Sequence, residues 1–412
     1  MGVLLLGADY YGTLAAARCY GKHGIDVAMA DEHRRARGLY SRHVRQRLEH
    51  PPLAEPDRLI EWLLDYGAQN PGTLLYPPND HLAWLFARHR DRLAKVFLTY
   101  APGEDAILAL LDKKRLHDAC AAVGLAVPAT RAPGDVAGLR WPILLKPRTQ
   151  AFLEGGIKGM LVRDRAELDE ELARFRRLVR FAPVLAERHP EIAEPMLQEY
   201  LPSAETSIFS VSGFVTREGE LVCRAAMKVL QRPRKVGIGL CFEDRRMDAG
   251  LADKLAALCR RVGYHGCFEA ELIADGERRL LIDFNPRFFS QMGFDIARGL
   301  PLPLLVWHAA RGDRERLDEA IVRARRWRPR GSAVYCHKAM LDLVLTLQGL
   351  SGRMSRADVA RWRSWYERHR TGAVDAVHDP DDRLPTLVDA AQWVEHFARH
   401  PRSFVRSFVL DR

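Results

Sequence analysis

The sequence predicts a mixed α/β and α+β protein, and three observations support this fold class. Residues 2–31 are predicted to form a strand, a helix and a second strand with a glycine turn after the first, which is typical of a βαβ unit in a parallel sheet. Two antiparallel hairpins are predicted further along, over residues 207–227 and 266–287. The last part of the chain, residues 313–412, is predicted to be helical and polar.

The composition indicates a globular protein with several domains. A chain of 412 residues with 47% hydrophobic side chains can bury large cores, and this length favours about two to four domains. The seven cysteines are odd in number and lack CxxC spacing, so we expect reduced thiols. We see no apolar run long enough for a membrane span and no secretion signal before the first strand. We therefore expect a soluble cytoplasmic protein without a membrane partner.

The net charge narrows the classes of partner. The 63 basic and 53 acidic side chains give a formal charge of +10, which would suit nucleic acid, a membrane surface or an anionic small molecule. The arginine-rich runs 174–188 and 311–330 are interleaved with acidic and apolar residues at helical spacing. This pattern favours solvated helix faces over a nucleic-acid patch. We expect no nucleic-acid partner.

The N-terminal region is predicted to be a small parallel-sheet domain. Its first turn, Gly7–Gly12, lacks the GxGxxG order of dinucleotide-binding proteins, which argues against NAD. Further strands are predicted near residues 70–80 and 97–100, with a Tyr76–Asp80 turn between them. The domain is predicted to end near residue 104.

The predicted hairpin 266–287 carries the strongest chemical signal. Its strands alternate apolar and acidic residues on either side of an Asp275–Gly276 turn. Glu271 and Asp283 can therefore face each other across neighbouring strands, with Asn285 nearby. Like charges should repel there, and a divalent cation would remove the conflict; an all-oxygen set of ligands suits Mg²⁺ or Mn²⁺. An edge hairpin with solvated acids is the alternative.

Two features upstream indicate phosphate binding. Lys146 ends the apolar run 141–147, and a buried strand seldom finishes on a charged residue unless that charge has an anionic partner. A glycine-rich turn follows, and the backbone N–H groups of such a turn can come close to a triphosphate. Its residues are Gly155, Gly156, Lys158 and Gly159.

Glu271 followed by the run Asp283-Phe284-Asn285-Pro286-Arg287 resembles the metal-binding and catalytic signature of the ATP-grasp ligases. The family usually has Glu at the position of Asp283, and this replacement keeps the charge while shortening its reach. The resemblance is nearest to the branch of amino-acid ligases and carbamoyl-phosphate synthetases. It implies a pre-ATP-grasp domain over 1–104, ATP-grasp subdomains over 105–197 and 198–312, and a helical C-terminal extension over 313–412.

The resemblance also implies roles for individual residues. ATP would lie between the two subdomains, held by Lys113, Lys146, Lys228 and the glycine-rich turn. Gln198, Glu199 and Leu201 would form the hinge that binds adenine through backbone groups, and Glu205 would bind the ribose. Glu271, Asp283 and Asn285 would hold Mg²⁺ or Mn²⁺, and Arg287 would stabilise charge on the transferring phosphoryl group. An ordinary exposed helix lysine is the alternative for Lys113, and a turn acid is the alternative for Glu205.

The function that the resemblance implies is an ATP-dependent carboxylate–amine ligase. A substrate carboxylate, with an amino acid as one candidate, would become an acyl phosphate as ADP is released, and an amine would then displace phosphate to give an amide. A phosphotransferase that leaves phosphate on its product and a non-catalytic nucleotide-binding regulator are the alternatives. We predict that the acceptor pocket is lined by the cationic loop 228–239 and by residues 290–298. Arg232, Ser290 and Arg298 are the candidate substrate residues, with ordinary surface arginines as the alternative and the vicinity of Asn79 and Asp80 as a second location. The C-terminal extension could support a homodimer.

Overall fold

The computed structural model describes residues 2–154, 158–232, 238–328 and 333–410, without the side chains of Arg232 and Ile238. The strands are β1 Gly2–Leu6, β2 Asp26–Asp31, β3 Val44–Glu49, β4 Leu74–Leu75, β5 Leu98–Thr99, β6 Thr130–Arg131, β7 Ile143–Lys146, β8 Leu153–Glu154, β9 Met160–Val162, β10 Arg180–Phe181, β11 Met196–Glu199, β12 Ile208–Val215, β13 Leu221–Arg232, β14 Ile238–Arg245, β15 Gly266–Asp275, β16 Arg278–Asn285, β17 Val334–Cys336 and β18 Ala373–Asp375. The helices are α1 Tyr11–Lys22, α2 Pro56–Gln69, α3 Asp80–Arg88, α4 Arg90–Leu93, α5 Glu104–Leu111, α6 Lys113–Ala122, α7 Arg165–Leu178, α8 Pro183–Ala186, α9 Ala249–Val262, α10 Met292–Ala297, α11 Leu302–Arg311, α12 Arg314–Arg326, α13 Lys338–Leu350, α14 Arg356–His369, α15 Leu384–Arg399 and α16 Pro401–Phe404. Within the described ranges the strands form a five-stranded, a four-stranded and a seven-stranded sheet and a two-stranded ribbon of β8 and β10.

The five-stranded sheet confirms the predicted parallel sheet in the N-terminal region. Its order is β3-β2-β1-β4-β5, and every pair is parallel. The carboxyl ends of parallel strands meet at one edge, so the loops after β1 and β4 lie together there. At this edge α3 begins with Asn79, whose side chain accepts a hydrogen bond from the backbone N–H of Leu82 at 2.8 Å. This cap places Asp80 in the first turn of α3.

The four-stranded sheet, in the order β6-β11-β7-β9, positions Lys146. β7 alternates buried Ile143 and Leu145 with less buried residues and ends at Lys146. The buried side chains pack on one face against Leu168 and Phe175 of α7. The same alternation leaves Lys146 on the opposite face.

The seven-stranded sheet, in the order β16-β15-β12-β13-β14-β17-β18, has one apolar and one polar face near the site. Because side chains alternate along a strand, Phe209 and Val211 of β12 face the core shared with α5 and α9. Ser210 and Ser212 lie on the other face, with Glu269 and hydrogen bonds to buried acids. This polar face carries the site.

The C-terminal region is mainly helical, as predicted, and it also contains two short strands. Helices α12 to α16 account for most of it, and β17 pairs with β14 and β18 pairs with β17, so the two strands extend the seven-stranded sheet. Trp365 is buried at 6% exposure against this added edge. No helix in the described ranges is long and apolar enough to span a bilayer.

Candidate active site

The paired strands β15 and β16 bring the predicted metal ligands together. Glu271 lies opposite Asp283, and Glu269 lies opposite Asn285. A β-bulge follows Glu271, where β16 has one extra residue, Ile282; bulges of this kind redirect side chains near functional sites. The side chains of Glu271 and Asp283 keep 23% and 33% of their surface exposed. Both carboxylates are therefore open to a ligand.

Two buried lysines from other parts of the chain contact these carboxylates. The Nζ of Lys113 lies 2.6 Å from Asp283 Oδ1, and the Nζ of Lys228 lies 2.6 Å from Glu271 Oε1. Burial opposes the charge of Lys113, but attraction to Asp283 and its hydrogen bond outweigh this, and the pKa of Lys113 is raised. The pKa of Lys228 is raised in the same way, by Glu271.

The position of Lys113 depends on a helix cap. Asp112 caps α6 by accepting a hydrogen bond from the N–H of Lys114 at 2.9 Å, and it forms a buried ion pair with Arg148. The backbone N–H of Lys113 donates to the Arg148 carbonyl at 2.7 Å. Asp112 thus fixes the start of the helix, and the next residue, Lys113, reaches the carboxylate of Asp283.

Lys146 is the third lysine of the site. Its Nζ donates to Oε1 of Gln198 at 3.2 Å. Burial lowers the pKa of Lys146 to about 8, with a further contribution from the positive charge of Lys113. The Nε2 of Gln198 is buried and has no hydrogen-bond partner among the described residues. A cation of weakened basicity beside an unsatisfied amide donor is suited to an anionic ligand with hydrogen-bond acceptors.

Arg287, just after β16, links the predicted metal ligands to helix α3. Its Nε donates to Asp80 Oδ1 at 2.7 Å, and its terminal nitrogens donate to Asn285 Oδ1 at 2.8 Å and to the Phe288 carbonyl at 2.9 Å. These bonds leave one N–H on each terminal nitrogen. The sequence analysis named Asp80 only as a neighbour of a second possible pocket. A strand-to-helix turn at a sheet edge was the signal that could have identified it as a partner of Arg287.

Glu269 is a residue of the site that the sequence analysis did not select. Its carboxylate accepts hydrogen bonds from Ser210 Oγ at 2.6 Å, from Asn285 Nδ2 at 2.9 Å and from the side-chain amide of Gln291. Burial, followed by repulsion from Glu271, raises the pKa of Glu269. Its spacing of two residues from Glu271 places both on one face of β15, and this spacing was the available signal.

The predicted hinge and ribose residues lie at the end of β11. The carboxylate of Glu199 accepts from the backbone N–H of Ala129 at 2.9 Å, and the side chain of Leu201 is buried. Glu205 is exposed, 3.3 Å from the hydroxyl of Tyr200. The structure gives no ligand contact for these residues, so their roles stay predictions.

Part of the predicted glycine-rich turn is described. Gly155 and Gly156 lie outside the described residues, whereas Lys158 and Gly159 are exposed. A Cβ atom added at Gly159 would lie 3.3 Å from Cγ of Lys146, so the backbone passes close to that lysine. The described end of the turn, at Gly159, is therefore adjacent to Lys146.

The structure changes the interpretation of the predicted acceptor residues. Arg298 is 1% exposed and forms ion pairs with Asp295 and Asp244. It also donates a hydrogen bond to the Ala225 carbonyl at 2.7 Å. A guanidinium buried in this way cannot contact a substrate at the surface. The predicted substrate role of Arg298 is therefore replaced by a structural role. Ser290 is half-buried and its carbonyl accepts from the Tyr335 hydroxyl at 3.1 Å. The side chain of Arg232 lies outside the described residues.

Comparisons with solved structures place this geometry in a known fold. The biotin carboxylase domain of Hydrogenobacter thermophilus 2-oxoglutarate carboxylase, solved with MgADP and bicarbonate, matches with a TM-score of 0.62 and 17% identity over 81% of this chain and 74% of that chain. The L-amino acid ligase of Bacillus licheniformis matches with a TM-score of 0.57 and 12% identity over 81% and 79% of the two chains. The N5-carboxyaminoimidazole synthetase of Staphylococcus aureus, solved with ADP, matches with a TM-score of 0.55 and 13% identity over 75% and 77%.

These likenesses show that the chain has the ATP-grasp fold, which confirms the fold predicted from the sequence. Comparison with protein-family models and with curated protein sequences finds no match. Fold likeness alone does not fix a reaction, so the function has to be argued from the site.

Proposed function

We propose that the protein is an ATP-dependent carboxylate–amine ligase that works through an acyl phosphate. One observation carries this proposal, namely that three lysines from separate elements converge on two cross-strand carboxylates. Lys113 contacts Asp283, Lys228 contacts Glu271, and Lys146 lies beside Gln198 within the electrostatic reach of both acids. Such a set of cations and acids is suited to bind a nucleoside triphosphate with its divalent cation.

The two carboxylates suit Mg²⁺ or Mn²⁺, with the protein supplying only part of the metal ligands. Glu271 and Asp283 supply hard oxygen ligands, whereas the Asn285 oxygen already accepts from Arg287. No group of three or more His, Cys, Asp or Glu in the described residues is arranged to hold a metal. Phosphate oxygens and water would therefore complete the coordination, as is usual for Mg²⁺ in phosphoryl-transfer sites. When bound, the cation would offset charge on the triphosphate.

The residues of the chain would act by positioning and by charge. Glu271 and Asp283 would hold the cation, and the ammonium groups of Lys113 and Lys228, which contact these acids in the structure, would pair with phosphate oxygens. Lys146 would pair with phosphate too, and the unsatisfied Gln198 amide would donate to the nucleotide. Arg287, fixed by Asp80 and Asn285, would direct its two remaining N–H groups at the transferring phosphoryl group.

The proposed reaction has two steps. A carboxylate oxygen of the substrate bonds to the γ-phosphorus as the bond to ADP breaks, which gives an acyl phosphate. An amine nitrogen then bonds to the acyl carbon, phosphate leaves with the bonding electrons, and the amine gives up a proton to solvent. No protein nucleophile is needed, and catalysis rests on orientation and preorganised charge.

We place the acceptor pocket at the edge of the N-terminal sheet. Arg298 is buried, so the second predicted location, near Asn79 and Asp80, gains weight. Tyr10 is 42% exposed there, its hydroxyl accepts from Asn79 Nδ2 at 3.3 Å, and it lies in the field of Arg287. A substrate bound against Tyr10 and Ser290 would approach the phosphoryl group from the side of Arg287.

The test is product analysis with isotopically labelled substrates. Purified protein is assayed with ATP, Mg²⁺ and pools of carboxylates and amines, and we expect ADP and phosphate to form only when both a carboxylate and an amine are present. With ¹⁸O in the carboxylate, the released phosphate should carry one ¹⁸O atom, since that oxygen bridges the acyl phosphate. AMP and pyrophosphate would refute the proposal. Phosphate that stays on the product would indicate a phosphotransferase, and nucleotide binding without turnover would indicate a regulator.

A further inference from the structure

Two polar side-chain atoms near the lysines of the site are buried and have no hydrogen-bond partner among the described residues. They are Nε2 of His117, on α6, and Nε2 of Gln198, on β11. The two residues are only 7% and 2% exposed. Nearly all buried polar groups of folded proteins are paired, so two unpaired atoms in one place point to a ligand that would contact both.

The contacts of Thr130 show that the two residues lie together. Thr130 lies directly opposite Gln198 in the pairing of β6 with β11, so the two side chains share one face of the four-stranded sheet. The Thr130 hydroxyl lies 3.1 Å from Nδ1 of His117. On α6, His117 follows Lys113 by four residues, which places both on one side of the helix. The Oε1 of Gln198 accepts from Lys146 at 3.2 Å. The two unpaired atoms therefore lie beside the lysines that are proposed to hold ATP.

The hydrogen bonds of Thr130 also decide which nitrogen of His117 carries a hydrogen. The Thr130 hydroxyl donates its single hydrogen to the Pro128 carbonyl at 3.0 Å, so it can only accept from His117. Nδ1 therefore carries the hydrogen, and Nε2 carries a lone pair. Burial, with further contributions from the neighbouring lysines, lowers the pKa of His117 to about 4, so the ring is neutral at neutral pH. His117 Nε2 is thus an acceptor, whereas Gln198 Nε2 is a donor.

We propose that His117 and Gln198 bind the edge of the adenine of ATP, and that His117 is the residue that selects for its 6-amino group. This inference rests on the proposed function, which supplies ATP as the ligand. The amino group would donate to Nε2 of His117. The ring nitrogen next to it would accept from Nε2 of Gln198, because adenine has a ring acceptor on each side of its amino group. Both unpaired atoms would then have a partner of the opposite kind.

The first test uses the wild-type protein and removes one group from the ligand. Calorimetric titration compares MgATP with the magnesium complex of purine riboside 5′-triphosphate, which lacks only the 6-amino group. We expect the analogue to bind about tenfold more weakly, because Nε2 of His117 would stay buried without a partner. Equal affinities would overturn the inference, and turnover of ATP by the same preparation would show that the proposed function is unaffected. Binding of neither nucleotide would overturn both.

Substitution of His117 tests the assignment to this residue. His117→Phe keeps a ring but removes the acceptor, so the affinity for ATP should fall about tenfold while that for the analogue changes little. His117→Gln brings an amide oxygen near the position of Nε2 and should restore most of the preference for ATP. The matched control is His89→Phe, at the end of α3, which removes another buried and unpaired Nε2 and should keep the wild-type preference.

Thermal denaturation shows which variants are folded. A wild-type preference for ATP in folded His117→Phe, or an equal loss of that preference in His89→Phe, would overturn the inference. The comparison of the two nucleotides on the wild type needs no substitution, so it decides the matter even if His117→Phe does not fold.

Discussion

Two clusters on the same face of the seven-stranded sheet both pair basic side chains with carboxylates, but they differ in how far the charges are exposed. The open cluster contains Lys113, Lys228, Glu271 and Asp283, and its two acids keep 23% and 33% of their side-chain surface. The closed cluster contains Arg298, Asp295, Asp244 and Ser212, and both Arg298 and Asp295 are 1% exposed. Ser210 and Ser212, two residues apart on β12, lie beside the two clusters. The exposure of the charged side chains to solvent, rather than the presence of paired charges, distinguishes the candidate site from the structural cluster.

The largest expected effect is on turnover, from a substitution in the open cluster. Asp283→Asn removes a proposed metal ligand and the ion-pair partner of Lys113. The negative charge on the transferring phosphoryl group would then be less well neutralised. We expect kcat to fall about 10³-fold while ATP binding changes far less. Steady-state kinetics together with calorimetric titration of ATP measure both quantities. Near-normal turnover would show that Asp283 is not a ligand.

The closed cluster should respond in stability instead. Arg298→Ala leaves Asp295 buried without its partner, and breaking a buried pair in this way costs about 3–5 kcal/mol of unfolding free energy. Urea unfolding measures the loss. The KM values of the folded fraction should match those of the wild type, and a raised KM for the carboxylate at unchanged stability would restore Arg298 as a substrate residue.

The sequence predicted the fold class and the hairpin that carries Glu271 and Asp283, because alternation and turn residues are local signals. It did not predict the burial of Arg298, because that burial depends on tertiary contacts to Asp295, Asp244 and the Ala225 carbonyl. Asp80 and Glu269 were missed for a related reason: their roles depend on contacts 207 and 16 residues away along the chain. The strands β17 and β18 were missed because each has three residues and forms only against an existing sheet edge.

A smaller effect should appear in the pH dependence of ATP binding. The pKa of Lys146 is lowered to about 8, so below that pH its ammonium is already present. Above it, binding of a phosphate requires proton uptake, and ATP affinity should fall about tenfold per pH unit. Calorimetry at pH 9 in buffers of different ionisation enthalpy should reveal the uptake. Lys146→Gln should bind more weakly with a flatter profile, and an unchanged uptake in that variant would assign the proton to another group.

The smallest effect should come from Glu269, which touches neither proposed ligand directly. Its carboxylate accepts from the Asn285 amide nitrogen at 2.9 Å, and the Asn285 oxygen in turn accepts from Arg287 at 2.8 Å, so Glu269 holds that amide in one orientation. Glu269→Gln keeps the side-chain volume but replaces one carboxylate oxygen with an NH₂ group, which would face the donors of Ser210 and Gln291. The side chain would then no longer hold the Asn285 amide in one orientation, and Asn285 could rotate. We expect kcat to fall about tenfold, at the low end for residues that orient a site, with KM for ATP nearly unchanged. Ser210→Ala is the control, because it removes one contact to Glu269 and leaves the bond to Asn285. If both variants lower the melting temperature equally and neither changes kcat, Glu269 supports only the fold; a fall in kcat confined to Glu269→Gln would make it a positioning residue for Arg287.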